Sequence, residues 1–249
     1  MVIVEKLTLE YSNGTKAIKN ISFSIPKGKL VLICGPNGSG KSSLLKVLAG
    51  LHHPTKGRVL LEGKDLHSEI RDPRKLAGLV FQNPEHQILG ETVEEDVALG
   101  PRYLGLPQDE IQKRVNEALS FCNLSHMNRK NCHLLSGGEK KRLSIASVLA
   151  MKPQIILLDE PFANLDFPAA KSILRCILSM RTQGYTIVVA SHEVEMLAPH
   201  IDKILVLYGG ELKMESNTPE TIYSSLASYG VRPPCYAIFG TKPPEWLAI

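Results

Sequence analysis

The sequence predicts an α/β fold with a central parallel β-sheet. Five short apolar runs have the composition of strands buried on both faces: 30–34, 77–81, 155–159, 186–190 and 204–208. Residues 1–30 and 57–66 alternate apolar and polar positions, which indicates an antiparallel sheet, and the stretch from about 84 to 150 is helical in pattern. The 249 residues are 43% hydrophobic and suffice for a substantial core.

A glycine-rich segment follows the first of these parallel strands and precedes a helical run. It fits the pattern G-x-x-x-x-G-K-[ST] and reads Gly35-Pro36-Asn37-Gly38-Ser39-Gly40-Lys41-Ser42. In such a phosphate loop the backbone amides and the helix N-terminus attract phosphate, and the lysine adds a full charge. The alternative is a glycine-rich turn that binds nothing.

A second glycine-rich helix start lies at Leu135-Ser136-Gly137-Gly138-Glu139, the signature segment (135–139). Ser136 and Glu139 have the spacing of a capping box, in which each side chain satisfies an amide near the helix start. The predicted helix runs to just before Pro153 and leaves the glycine amides open to a phosphate. Taken alone, the segment is equally consistent with a capped helix that binds no phosphate.

Two adjacent carboxylates, Asp159 and Glu160, end the strand at 155–159. Because neighbouring residues at a strand end point in different directions, the two side chains can serve different purposes. Asp159 suits a hydrated Mg²⁺ ion, and Glu160 suits the attacking water of a phosphoryl transfer. The alternative is a pair of solvated charges at a strand tip.

The chain resembles the ATP-binding-cassette (ABC) ATPases over residues 2 to about 220. Five features occur in the family's order: Tyr11, Gln82, the signature segment, Asn164-Leu165-Asp166 and His192. The resemblance implies a phosphate-loop fold with a RecA-like parallel core, an antiparallel β subdomain and a helical signature subdomain. It divides the single domain into a core of 1–83 and 152–215, a helical lobe of 84–151 and a tail of 216–249.

The resemblance also implies the roles of individual residues. The catalytic group comprises Lys41, Glu160 and His192. ATP as substrate is held by Tyr11, which stacks on adenine, by the phosphate loop together with Ser43, and by Gln82. Mg²⁺ is bound by Ser42 and Gln82, and through water by Asp159. The residues Ser136, Gly137, Gly138 and Glu139 contact the ATP of a second ATPase subunit, and Asp166 helps to seal the dimer. Both a homodimer and a heterodimer are consistent with this pattern.

The glutamine loop, defined here as residues 82–87, continues from Gln82 as Asn83, Pro84, Glu85, His86 and Gln87. It resembles the corresponding loop of the ATPase components of energy-coupling-factor transporters, including cobalt, nickel and biotin systems. The implied role is docking on a basic, amphipathic helix of an integral membrane scaffold, which works with a substrate-binding membrane subunit. This resemblance places the chain at the cytoplasmic face of the membrane. The alternative is a surface loop of another cassette ATPase.

Composition excludes several other classes of function. The net charge of +4 is too small to indicate nucleic-acid binding, and the densest basic cluster, Lys140-Lys141-Arg142, is interpreted as a solvated face. Five cysteines without C-x-x-C spacing favour reduced cytosolic thiols. No apolar run is long enough to cross a bilayer. The proline-rich tail is interpreted either as part of a dedicated module or as a poorly ordered end.

Two alternative functions remain open from the sequence. One is a soluble cassette ATPase that acts as an assembly or regulatory clamp without a membrane partner. The other is a GTPase or small kinase, which is disfavoured because no Asn-Lys-x-Asp guanine reader is present and neither class needs the signature segment.

Overall fold

The computed structural model describes residues 1–247. A six-stranded sheet has the strand order β10-β9-β3-β8-β7-β6. All of its pairings are parallel except the one between β9 and β10 at one edge, which is antiparallel. Its strands are β3 (Leu30–Cys34), β6 (Ala77–Val80), β7 (Ile155–Asp159), β8 (Thr186–Ser191), β9 (Lys203–Tyr208) and β10 (Glu211–Ser216). The five parallel strands predicted from the apolar runs are confirmed. Strand β10 was not predicted, and it extends the sheet at one edge.

A four-stranded antiparallel sheet with the order β2-β1-β4-β5 covers one face of the molecule. Its strands are β1 (Val2–Glu10), β2 (Lys16–Ile25), β4 (Lys56–Leu61) and β5 (Lys64–Asp65). In β1 the buried positions alternate with more exposed ones, because one face packs on the core and the other meets water. The predicted antiparallel sheet is confirmed.

The helices lie on both sides of the six-stranded sheet. They are α1 (Lys41–Leu48), α2 (Val93–Tyr103), α3 (Gln108–Phe121), α4 (Gly137–Leu149), α5 (Phe167–Thr182) and the short α6 (Cys235–Ile238). Three-residue 3₁₀ turns occur at Pro73–Lys75, Pro84–His86, Ser125–Met127, Cys132–Leu134 and Glu245–Leu247, and a longer 3₁₀ segment spans Pro219–Tyr229. Alternate residues of β3 show why the sheet needs two covers: Leu30 and Leu32 lie in one hydrophobic cluster, and Val31 and Ile33 lie in the other.

Strands β6 and β7 are hydrogen-bonded neighbours, although more than seventy residues separate them in the chain. The intervening segment carries α2, α3 and α4, which contact one another and form a helical lobe. This insertion supports our proposed division of the chain into core, helical lobe and tail. The α/β fold class itself is confirmed.

The tail packs against the core. The Tyr223 hydroxyl donates a hydrogen bond of 2.7 Å to the Ala198 carbonyl, and the Trp246 ring lies edge-on to Phe167 with ring centroids 5.2 Å apart. Residues 248 and 249, which the sequence analysis assigned to the tail, lie outside the described residues. Within residues 1–247, no helix has both the length and the apolar character needed to cross a membrane.

Candidate ATP site

The predicted phosphate loop connects β3 to α1, as the sequence indicated. Gly40 shows why glycine is required in it: the residue has a φ of 101°, and an added Cβ would lie 2.4 Å from the Ala17 carbonyl oxygen. The loop therefore packs directly on strand β2, and a side chain at this position would displace it. Lys41 begins α1, and its side chain is 6% exposed.

The cleft around the phosphate loop joins the two sheets. Its lining combines predicted site residues with a few residues that were not predicted: Tyr11, Thr15, Lys16, Ala17, Lys19, Asn37, Gly38, Gly40, Lys41, Ser42, Ser43, Gln82, Glu160, Gly209 and Gly210. The Tyr11 hydroxyl lies 2.9 Å from the Ser43 hydroxyl, which fixes the predicted adenine platform to α1. A cleft that is lined by an aromatic ring as well as by lysine and serine side chains suits a nucleoside triphosphate.

The carboxyl ends of three adjacent strands bring the predicted catalytic residues together. Lys41 follows β3, Glu160 follows β7 and His192 follows β8. The Lys41 ammonium donates to the Gly35 carbonyl at 2.8 Å and lies 3.6 Å from Glu160 Oε1. His192 Nδ1 lies 3.0 Å from the same oxygen. Sheet register thus fixes the mutual positions of these three side chains.

Glu160 is held by neighbouring donors and by its own backbone. The Ser191 hydroxyl donates to Oε2 at 3.1 Å, and the His192 amide donates to Oε1 at 3.1 Å. The φ of Glu160 is 43°, which is uncommon for a residue with a side chain, and its amide is bonded to the Ala190 carbonyl at 2.8 Å. Strained backbone of this kind persists where the surroundings over-determine it, as they do at functional sites.

The Asp159 side chain reaches Ser42 at the end of the phosphate loop. Its side chain is buried, and Oδ1 lacks a hydrogen-bond partner among the described residues. Burial raises the pKa of the Asp159 carboxyl, and a hydrogen bond from Ser42 opposes that shift. A buried carboxylate oxygen with unused acceptor capacity beside a serine hydroxyl fits a hydrated cation at this point.

The signature segment lies at the start of α4, as predicted, with the complete capping box. The Glu139 amide donates to the Ser136 hydroxyl at 3.3 Å, and the Ser136 amide donates to the Glu139 carboxylate at 2.7 Å. No signature residue lines the cleft around Lys41 in the part of the chain that the structure describes. The two glycine-rich helix starts are therefore separate surfaces of one chain. Asp166 caps α5 by accepting a 2.9 Å hydrogen bond from the Ala169 amide.

Comparison with known proteins agrees with this arrangement. Residues 18–163 match the family described as ABC transporter. The chain belongs to the ABC transporter ATPase family. It is 43% identical to the energy-coupling factor transporter ATP-binding protein EcfA of Methanocaldococcus jannaschii, over 91% of this chain and 82% of that protein. The predicted family resemblance is confirmed.

Two solved structures support the same assignment for the cassette ATPase. CbiO1 from Clostridium perfringens, described as part of the ABC transporter complex CbiONQ, superposes with a TM-score of 0.82 at 34% identity and covers 96% of this chain and 98% of its own. A dimeric ATP-binding cassette in a post-hydrolysis state bound to ADP and Pi gives a TM-score of 0.78 at 31% identity, covering 88% of this chain and 99% of its own.

In this cassette the glutamine loop is built by its own side chains. Asn83 accepts a hydrogen bond from the Glu85 amide at 3.0 Å and caps the turn Pro84–His86. Gln87 Oε1 accepts from the Phe81 amide at 3.0 Å. Gln82 lines the cleft around the phosphate loop, so the glutamine loop begins at this cleft and extends to the helical lobe.

The prediction that the basic cluster 140–142 is a solvated face is wrong. The Lys141 side chain is 1% exposed, and its ammonium donates to the carbonyls of Phe81 at 3.2 Å and Gln82 at 2.6 Å. Burial lowers the pKa of Lys141 to about 8. Lys140 forms a 2.8 Å ion pair with Glu85, and Arg142 donates to the Ser172 hydroxyl at 3.2 Å. The cluster joins α4 to the glutamine loop and to α5, because tertiary contacts far along the chain override its local polarity.

Asp96 is a buried acidic residue that sequence analysis did not single out. Its Oδ1 accepts from the amides of Leu89 at 2.8 Å and Gly90 at 3.0 Å, and its Oδ2 accepts from the Ser147 hydroxyl at 2.7 Å. Asp96 therefore joins the segment after the glutamine loop to both α2 and α4. The only local signal for it is an acidic residue among the apolar positions of α2.

An apolar groove opens between the helical lobe and the core, next to the glutamine loop. Its apolar lining includes several large side chains: Leu51, Leu79, Phe81, Leu89, Leu99, Tyr103 and Met151. Leu89 is 80% exposed, although its own amide and that of Gly90 donate hydrogen bonds to Asp96. A large apolar side chain that is exposed in an apolar groove is typical of a protein-docking surface.

Proposed function

We propose that this chain is the ATP-hydrolysing subunit of an energy-coupling-factor importer for a metal ion or vitamin. ATP binding would close a dimer of two ATPase subunits, and hydrolysis would let it reopen. The observation that carries the proposal is the convergence of Lys41, Glu160 and His192 at one sheet edge, beside a cleft that the signature segment does not reach. Each chain thus supplies a complete hydrolytic half and a separate capping surface.

Hydrolysis would depend on Glu160 as the group that orients and polarises the attacking water. Its two oxygens are already aligned by the Ser191 hydroxyl and the His192 amide, so little reorganisation is needed. Lys41 would neutralise charge on the transferred phosphoryl group, and His192 would contact its terminal oxygens. The tyrosine ring of Tyr11 would stack on adenine.

A Mg²⁺ ion fits the donor set that the chain provides. Ser42 and Gln82 would bind it directly, and Asp159, whose Oδ1 has unused acceptor capacity, would hold its hydration shell. When bound, Mg²⁺ would neutralise the negative charge of the phosphates. The hydroxyl and amide oxygens are hard ligands of the kind this ion prefers.

The signature segment would act on the ATP held by a second subunit. Gly137 has no atom within 4 Å of an added Cβ, so its backbone is open to an incoming ligand. The amides of Gly137 and Gly138, at the positive end of α4, would contact the terminal phosphate together with Ser136 and Glu139. Asp166 would lie at the edge of the same interface. All of these parts occur in one chain, so two identical copies would complete two sites.

Coupling to transport would pass through residues 83–87 and the apolar groove beside them. The Glu85 carboxylate is paired with Lys140 through Oε1, but the side chain is 65% exposed, so a cationic partner can still reach it. We propose that a basic, amphipathic helix of an integral membrane scaffold packs its apolar side on Leu89 and Leu99. A substrate-binding membrane subunit would complete the importer, with the ATPase at the cytoplasmic face.

Glu160→Gln tests the catalytic assignment. We expect ATP affinity to stay within about twofold and kcat to fall on the order of 100-fold or more, because the variant keeps the shape but loses the base. Near-normal hydrolysis by the purified variant would reject the role of Glu160. Detergent extraction with this chain as bait tests the proposed coupling to a membrane scaffold. Recovery of an integral membrane chain supports transport, whereas recovery of soluble proteins alone contradicts it.

A further inference from the structure

The ammonium group of Lys141 bonds the signature helix to the backbone at the start of the glutamine loop. Its two acceptors are the carbonyls of Phe81 and Gln82, which precede it by 60 and 59 residues. The shorter contact, 2.6 Å, is to the residue that lines the ATP cleft. Lys141 therefore contacts the polypeptide where it leaves the cleft.

A second side chain joins the same two elements. Gln87 accepts from the Phe81 amide and donates from Nε2 to the Ser144 carbonyl on α4 at 3.2 Å. Ser144 lies about one helical turn after Lys141. The two side chains thus bond both ends of the glutamine loop to α4.

The charge of Lys141 also relates it to the catalytic centre. Among the ion pairs of the described residues none includes Lys141, yet the charges of Asp159 and Glu160 act against the lowering of its pKa by burial. A buried ammonium bonded only to carbonyls is a costly way to hold a helix in place, and an apolar residue would fill the volume at lower cost. The burial of this ammonium group is better explained if its function is to orient the carbonyl groups of Phe81 and Gln82.

We propose that Lys141 is a positioning residue that makes the nucleotide site of its own subunit control the signature segment offered to the partner. Gln82 responds to nucleotide in the cleft, Lys141 carries its displacement to α4, and α4 begins with the glycines that cap the partner's ATP. In a dimer of two copies, each bound ATP thus prepares the capping surface for the other. The proposal depends on the proposed function, because it requires the signature segment to act across the dimer.

The test uses the full-length chain with Glu160→Gln as the parent, so that bound ATP persists. Lys141→Met removes the ammonium and retains most of the volume, and Lys141→Arg retains the charge and donors. Lys203→Met is the matched control: Lys203 is 3% exposed and paired with Glu215, away from the cleft. Light scattering reports ATP-driven dimerisation, a fluorescent ATP analogue reports affinity of the monomer, and thermal unfolding reports the fold.

We expect Lys141→Met to need about tenfold more ATP for half-maximal dimerisation while monomer affinity changes by less than about twofold. Lys141→Arg should restore most of the response, and Lys203→Met should dimerise like the parent. In chains that retain Glu160, Lys141→Met should lower the Hill coefficient for ATP hydrolysis from near 2 toward about 1, since the coefficient is bounded by the number of coupled sites.

Three outcomes would overturn the proposal. Parent-like dimerisation of Lys141→Met shows that the contact transmits nothing. An equal loss of monomer affinity, or the same dimerisation defect in Lys203→Met, shows that Lys141 only stabilises the fold. A parent that binds ATP but never dimerises overturns the trans arrangement itself and the Lys141 proposal with it, a pattern distinct from the other two.

Discussion

The Cβ of Ala169 on α5 lies 2.8 Å from the position that a Cβ would take at Gly138 on α4. Real Cβ atoms essentially never approach so closely, so the two helices touch here only because residue 138 has no side chain. Nothing lies within 4 Å of the same construction at Gly137. Glycine therefore has a different purpose at each of these adjacent positions. At Gly138 it permits close packing of two helices within the subunit, and at Gly137 it leaves the backbone exposed on the surface.

Gly138→Ala should destabilise the chain, and Ala169→Gly should compensate. The added methyl overpacks the contact at a cost of about 1–3 kcal/mol. Removing the opposing methyl restores the space, so a double-mutant cycle should give a coupling free energy of about 1–2 kcal/mol in urea unfolding.

Gly137→Ala is the matched control for that cycle. It should leave the free energy of unfolding within about 0.5 kcal/mol, yet it should impair ATP-driven dimerisation. Additive effects of Gly138→Ala and Ala169→Gly would contradict the packing explanation.

Glu85→Arg should weaken capture of the membrane scaffold by about tenfold or more and leave ATP affinity within about twofold. The reason is charge: the variant presents a cation to a partner helix that we propose is basic, and like charges at an interface are strongly disfavoured. Immobilised scaffold and titrated ATPase give the affinity, and a fluorescent nucleotide gives ATP binding.

The exposed ion pair between Glu5 and Arg58, at 2.7 Å on the antiparallel sheet, supplies the control for Glu85. Glu5→Arg makes the same charge change far from the glutamine loop and should leave capture unaffected. Equal losses in the two variants would indicate non-specific electrostatics and count against docking at residues 83–87.

Asp96→Asn should lower the free energy of unfolding by about 1.5–3 kcal/mol. The carboxylate accepts from Leu89, Gly90 and Ser147, and hydrogen bonds to a buried charged group contribute more than neutral ones. Glu91 is exposed and precedes α2, so Glu91→Gln should lower the free energy of unfolding by less than about 0.5 kcal/mol. Similar unfolding midpoints for the two variants would show that Asp96 contributes little.

Local signals explain how much of the fold and site could be predicted. Short stretches of consecutive residues are enough to predict three features: the phosphate loop, the capping box at Ser136 and the strand that ends at Asp159. The structure places them as expected. Strand β10 was missed because Leu212 and Met214 are its only apolar positions, so its alternating pattern is weak.

Lys141 and Asp96 could not be found from sequence for a different reason. Their acceptors or donors lie on other elements. In the sequence each residue directly follows a charged residue, Lys140 or Glu95, which suggests a solvated surface, although Asp96 falls on the apolar side of α2. Only tertiary packing reveals that each is buried: Lys141 lies between α4 and the start of the glutamine loop, and Asp96 lies between α4 and residues 89–90. The residues that hold and align the loop were thus less predictable than those facing the nucleotide.

The adjacency of β6 and β7 also bears on how such a subunit can diversify. Strand β7, which leads to Glu160, pairs with β6 from Ala77 with Ile155 to Val80 with Leu158, although the whole helical lobe is inserted between the two strands. The inserted stretch carries Gln82 and the signature segment as well as α2, which lines the apolar groove. Evolution of a new docking surface is therefore restricted to substitutions that leave Gln82 and residues 135–139 in place.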